Sequence, residues 1–206
     1  MASNVFISFR YSDGAKYKEQ LSRLFSNTDI VIDYSENKDR KNMSEQTIRD
    51  YLYEKLRRSS VVIVLITPLA VNYSKDTFGR YDDWLYDEAR YSLEDRVNNR
   101  TKGMIGVYTD DAKQMIMTEN LHTCERCNQT TKMNTIMHFD NLVKANMMNV
   151  LERYKKNRCD GVFDSDYDSF VSLVSFDEFV DDFRKYINIA NEKRSLIDRY
   201  DIKKKL

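Results

Sequence analysis

Val61-Val62-Ile63-Val64-Leu65-Ile66 is the longest apolar run in this chain of 206 residues. It has no polar position to turn toward water and is almost wholly β-branched. It therefore reads as a strand covered on both faces, the position of a central strand in a parallel sheet. Pro68 ends it, because proline offers no donor to a ladder.

Working outward toward the N-terminus, Ser44 is placed to cap a helix whose apolar face is Ile48, Tyr51, Leu52 and Leu56. Before it lie a polar, aperiodic loop, Asp33–Met43, and a short strand at Ile30–Ile32. A helix over about Ala15–Ser26 carries Tyr17, Leu21, Leu24 and Phe25 at helical spacing, with its turn and N-cap in Tyr11-Ser12-Asp13-Gly14. Val5–Phe9 is the first strand.

Toward the C-terminus, the reading places a helix over Tyr81–Asn98 and a strand at Met104–Tyr108. A compositionally distinct stretch follows at about 110–168, richer in Met, Asn and Thr and holding all three cysteines. A helix is expected there near Asn141–Lys156, from Leu142, Val143, Met147, Val150, Leu151 and Tyr154. Phe170–Val174 is the last strand. Ser175 and Glu178 form a capping box opening one long final helix with Phe176, Phe179, Val180, Phe183, Ile187 and Ala190 inward.

Strand and helix alternating at this rhythm mean βαβ units with right-handed crossovers. The expected fold is α/β: a flavodoxin-like open sheet of about five parallel strands flanked by helices. It forms a single domain over 1–206, with an insertion at about 110–168 before the last strand. Ligands of such sheets sit beyond the carboxyl ends of the strands. Those ends are Phe9-Arg10-Tyr11, the loop after strand two, and Thr67-Pro68.

Lysine plus arginine equal aspartate plus glutamate at 33 each, so no net field draws the chain to nucleic acid or anionic lipid. No apolar run is long enough to span a bilayer, and Met-Ala-Ser-Asn-Val-Phe is not a secretory signal. Three late cysteines do not make a disulfide framework. A cytoplasmic protein with reduced thiols is expected.

Among groups that carry chemistry, Trp84 and Glu88 stand four residues apart and share a helix face. Arg10, leaving the first strand, is placed to meet a phosphate, and Phe9 or Tyr11 to stack on a base or nicotinamide ring. Arg40, with Lys38 and Lys41, lies where a pyrophosphate would be covered; Tyr34 and Ser35 are similarly placed.

Cys124 and Cys127 have the local spacing of a zinc pair, with His122, His138 and Cys159 elsewhere. No second close pair exists, so they read as ordinary thiols and no metal is expected. Asp164-x-Asp166-x-Asp168 resembles the start of a calcium loop but lacks its glycine and its bidentate glutamate, and reads as a solvated acidic turn. No Gly-x-Gly-x-x-Gly or P-loop follows any strand, which argues against an oxidoreductase or NTPase. No aspartate ends the third strand, as a phospho-receiver needs. A nucleoside deoxyribosyltransferase-like enzyme, which also sets an acid near a sugar, is a closer rival.

Val5-Phe6-Ile7-Ser8-Phe9-Arg10, then Val61–Thr67, then Trp84-Leu85-Tyr86-Asp87-Glu88 resemble, in order and spacing, the TIR domain family. The first piece resembles its opening box and the last its Trp-x-x-x-Glu helix. The likeness covers about Val5–Tyr108. The Arg-x-x-x-Pro-Gly turn of adaptor TIRs is replaced by Asp39-Arg40-Lys41-Asn42. The chain is closer to TIR-like proteins of bacterial anti-phage systems of the Thoeris kind.

This resemblance implies NAD⁺ as substrate, with no separate cofactor, and Glu88 as the catalytic carboxylate. It implies self-association when active, a possible phage-derived trigger, and a separate effector protein sensing the product. The chemistry is consistent: nicotinamide leaves neutral from a cationic ring, so no proton donor is needed and one carboxylate suffices. That carboxylate would hold the ribose and stabilise an oxocarbenium-like transition state. Water as trap gives ADP-ribose, and an internal nucleophile gives a cyclic ADP-ribose-type signal. The alternative is a non-catalytic interaction module signalling by assembly.

Overall fold

The computed structural model describes residues 3–28, 31–33, 44–157, 159 and 162–206. Five strands form an all-parallel sheet: β1 (Ser3–Ser8), β2 (Val31–Asp33), β3 (Val61–Ile66), β4 (Gly103–Tyr108) and a fifth strand near the C-terminus, Ser172–Ser175. With the last strand labelled β7, the order is β2-β1-β3-β4-β7. This is the flavodoxin-like order, whose direction of winding reverses between β1 and β3.

β3 is buried at every residue. Its alternating side chains divide the interior in two. Val62, Val64 and Ile66 face one layer, against Leu52 and Leu56 of α2 (Glu45–Arg58) and Leu85, Ala89 and Leu93 of α3 (Trp84–Leu93). Val61, Ile63 and Leu65 face the other, against Leu21 and Phe25 of α1 (Tyr11–Ser26) and Phe179, Phe183 and Ile187 near the C-terminus.

Gly103 and Gly106 let helices approach β4 closely. An added Cβ would stand 2.5 Å from the Ala190 carbonyl oxygen at Gly103 and 2.7 Å from Val143 Cγ1 at Gly106.

Several boundaries differ from the sequence reading. The third helix is Trp84–Leu93, not Tyr81–Asn98. Asp83 caps it by accepting from the Leu85 N–H at 2.9 Å, and Tyr81 instead bridges to Lys75. Asn98 sits at φ 66°, outside helical space. The first helix begins directly after Arg10, whose side chain makes no cap bond. Asp13 is turned elsewhere.

After β4 come α4 (Asp110–Ile116) and an antiparallel hairpin, β5 (Met117–Thr123) with β6 (Thr130–Ile136), which sequence periodicity did not reveal. Both strands are mostly exposed, so there was no apolar alternation to read. The helix expected at Asn141–Lys156 shrinks to one turn, α5 (Leu142–Ala145). Met148 then takes φ 50°, and only a short 3₁₀ turn follows at Glu152–Tyr154.

The capping box at Ser175 and Glu178 is present. The helix it opens is divided at Asp182 into α6 (Phe176–Asp181) and α7 (Phe183–Ser195). Asp182 leaves helical dihedrals (φ −141°) and its carboxylate caps the second piece by accepting from the Lys185 N–H. No helix among the described residues is long and apolar enough to cross a membrane.

Candidate active site at the carboxyl edge

The last residue of β1, Ser8, points into the layer occupied by α3. Its hydroxyl donates to Glu88 Oε2 at 2.5 Å, and both residues are buried, at 1% and 8% exposure. The spacing follows from the helix. With Asp83 as N-cap, Glu88 falls one turn in, on the side of Leu85 and Ala89, which pack against the sheet. A carboxylate there needs a donor, and β1 supplies one at its final position.

Two residues on, Arg10 Nη2 pairs with Asp83 Oδ2. The same carboxylate oxygen accepts from the Ser74 N–H at 2.6 Å, while Oδ1 holds the Leu85 N–H. Asp83 is only 2% exposed at the side chain, and one acid thus joins β1, the loop before α3 and the helix itself. Arg10 keeps 26% of its side chain accessible, and its Nε is buried with no hydrogen-bond partner among the described residues.

Asp13 plays the corresponding part for β3. It accepts from the Thr67 hydroxyl at 2.7 Å and from the Leu69 N–H at 2.9 Å, locking α1 to the end of the central strand.

Tyr73 closes the inner side. It is buried, and its hydroxyl donates to Asn141 Oδ1 at 2.9 Å. Burial pushes the phenol well above its ordinary range against a backbone donation from Leu142, and the charges of Asp83, Tyr86 and Glu88 push it further. The phenol stays neutral at all ordinary pH, so it presents a dipole rather than a charge beside the acid.

The residues proposed from sequence separate into three groups. Glu88 and Arg10 are brought to one edge through Ser8 and Asp83. Trp84 and Tyr11 are exposed at 37% and 79%. Arg49 stands over the Trp84 ring at 5.6 Å, and Phe9 and Tyr11 lie 6.4 Å apart at 38°, with Phe9 half-buried. Arg40, with Tyr34, Ser35, Lys38 and Lys41, lies outside the described residues.

Sequence reasoning missed the roles of Ser8, Asp13, Asp83 and Tyr73. Ser8 stood inside the quoted motif as the one polar residue of an apolar strand. Asp83 preceded the helix as an N-cap should. Tyr73 had no signal, since its place depends on a contact with Asn141, far along the chain.

Elsewhere, Cys124, Cys127 and Cys159 converge, with their sulfurs all within 4.8 Å of one another. The acidic turn is internally satisfied. Asp168 accepts from the Asp164 N–H at 2.8 Å, Asp164 from the Asp166 N–H at 2.8 Å, and Asp166 pairs with Lys185 at 3.3 Å.

The family model for the TIR-like domain of the Thoeris protein ThsB matches residues 6–114. That is 109 of 206 residues, more than half of the chain, from β1 through most of α4 and including every described residue of the edge except Tyr73's partner Asn141. The sheet order and this match agree. The chain belongs to the ThsB TIR-like family, the TIR proteins of Thoeris anti-phage defence.

Proposed function

We propose that this protein cleaves the nicotinamide N-glycosidic bond of NAD⁺ and emits ADP-ribose or a cyclic ADP-ribose-type signal, with Glu88 as the catalytic residue. The observation that carries the reading is the Ser8–Glu88 hydrogen bond. It is a buried acid fixed in one orientation at the carboxyl end of the sheet, beside the reversal in winding where open α/β sheets take their ligands.

In this reading the carboxylate hydrogen-bonds the nicotinamide ribose and stabilises positive charge as the C–N bond lengthens. The nicotinamide nitrogen takes the bonding pair and leaves neutral, so no group need protonate it. The transient cation is trapped either by water or by a nucleophile of the same dinucleotide. Arg10 and Arg40 would meet the pyrophosphate, and Trp84, Phe9 and Tyr11 would flank the rings. Asp83 acts as a positioning residue, holding Arg10 and the start of α3 together.

Thoeris membership implies partner proteins. The partner here would be a separate effector that senses the nucleotide in the cytoplasm, with a phage-derived trigger and self-association turning the enzyme on.

A second reading is a non-catalytic module that signals by assembly. It draws on Tyr11, Leu69 and Phe78, exposed at 79%, 58% and 80%, the first two close together where Asp13 ties α1 to Leu69. The deciding experiment incubates the concentrated protein with NAD⁺, and in parallel extracts nucleotides from phage-infected cells expressing it. Chromatographic appearance of nicotinamide and an ADP-ribose-type product, lost in Glu88→Gln, supports the enzyme. Unchanged nucleotides in both settings, with partner recruitment equal for wild type and variant, overturn it in favour of the module.

A further inference from the structure

The hairpin poses a physical problem that its own residues do not solve. β5 and β6 are exposed along most of their length, and a two-stranded hairpin without a core is marginal in water. The base packs on the interior, through Met117 and Ile136. At its far end the turn from Cys124 to Gln129 is closed by Cys124 N–H to the Gln129 carbonyl at 3.0 Å and Asn128 N–H to the Cys124 carbonyl at 2.8 Å. Asn128 takes the left-handed conformation at φ 55°. The result curls Cys124 and Cys127 toward each other with their sulfurs on one side.

A third sulfur arrives from a distant part of the chain. Cys159 is held by its own N–H donating to Asn157 Oδ1 at 2.9 Å and by Lys155 Nζ on its carbonyl at 3.2 Å. Its Sγ stands 3.8 Å from Cys127 Sγ, and all three cysteines are free. A disulfide needs about 2.05 Å between sulfurs. Tetrahedral zinc with Zn–S near 2.3 Å places its sulfurs about 3.8 Å apart. The observed spacing fits the second and is far from the first.

Backbone N–H groups of Cys127 and Arg126 donate to the Cys124 sulfur, an arrangement suited to a metal-bound thiolate. Three thiolates crowded together repel, and a cation among them removes the conflict.

We propose that Cys124, Cys127 and Cys159 form a structural zinc site that staples the tip of the β5–β6 hairpin to the segment at residue 159. The three sulfurs supply three of the four positions of a tetrahedral ion, and a water molecule or one further donor completes it. Loading the site exchanges the remaining thiol protons for Zn²⁺, with no change of oxidation state. The cluster lies wholly outside residues 6–114, so it is separate from the part of the chain that defines the family and from Glu88.

The test measures metal in the protein purified under reducing conditions without chelator, by mass spectrometry of the element. Roughly one zinc per chain is expected, at most a tenth of that in Cys127→Ser, and full occupancy in Glu88→Gln. Because Cys127 is exposed, its replacement leaves the core intact. Cobalt added to the metal-free wild type should produce the charge-transfer absorption of a thiolate complex, which Cys127→Ser should lack. A wild type that neither carries zinc nor takes up zinc or cobalt overturns the proposal. So does a Cys127–Cys159 disulfide recovered on peptide mapping of the protein as isolated, or zinc retained by Cys127→Ser at wild-type level.

Discussion

At the carboxyl edge of the sheet, Ser8, Thr67, Asp83 and Glu88 are withdrawn from water, and each polar group is answered by another from a different element. In the β5–β6 hairpin, polar groups answer each other across one ladder, such as Thr123 with Thr130 at 2.9 Å and Lys132 with Glu119 at 2.6 Å. The edge is bound by the fold, while the hairpin is bound mainly by its own ladder. Buried polar contacts between elements fix geometry because breaking one leaves a group unsatisfied in a poor solvent, whereas exposed contacts exchange with water at little cost. An acid that must be preorganised belongs at the first place, and a part free to vary belongs at the second.

The contrast can be broken most sharply at Glu88. Glu88→Gln keeps the shape and removes the charge. Nicotinamide release should fall by a factor on the order of 10³ or more, while urea unfolding stays close to wild type. A variant retaining a tenth of wild-type turnover would remove Glu88 from the chemistry.

Next in size is Asp83→Ala. It strands Arg10 and the Ser74 N–H and deletes a helix cap, so stability should drop by about 3 kcal/mol, read as a lower urea midpoint at unchanged slope. A loss of under about 1 kcal/mol would show that this edge is as forgiving as the hairpin.

A third test uses pH on the side of the sheet near the acidic turn. Lys193 is 2% exposed, with its ammonium on Ser172 Oγ at 2.7 Å and the Ser165 carbonyl at 3.2 Å. Burial lowers it to about 8, only partly offset by Asp166, Asp164 and Asp168. Between pH 8 and 10 the unfolded chain keeps this proton and the folded chain sheds it. Stability therefore rises with pH across that window, by about 2 kcal/mol at most, and the cost of burying the charge is complete below it. Lys193→Met should flatten the rise, measured by urea midpoints at pH 7.5 and 9.5. A slope unchanged in the variant would mean that the lysine remains charged.

The smallest effect belongs to the hairpin. Thr123→Ala removes one exposed cross-strand hydrogen bond and should cost about 0.5 kcal/mol. A loss comparable with that of Asp83→Ala would erase the distinction between the two regions.

Much of the edge was open to reading before the fold was known. Glu88 and Trp84 shared a helix face by spacing alone, and Arg10 had to emerge at a strand's carboxyl end once Val5–Phe9 was taken as β1. The partners that hold them were not, because Ser8–Glu88 joins residues 80 apart and Arg10–Asp83 residues 73 apart. The helices around Tyr81–Asn98 and Asn141–Lys156 were overextended for a related reason. Apolar residues at helical spacing were present, but Asp83 and the left-handed Asn98 and Met148 decided where the backbone turned.

What the amino-acid sequence determined unaided was the order of the five parallel strands, the helices that join the first four of them and the central place of β3, since burial on both faces forbids polar residues and that prohibition is visible in one dimension. Only the tertiary structure decided what meets what: a serine hydroxyl on an acid, an arginine on a helix cap, a third sulfur beside a Cys-x-x-Cys turn. Periodicity records which way a side chain faces within its own element. The identity of its partner depends on how the chain closes back upon itself, through contacts between distant residues that no local pattern encodes.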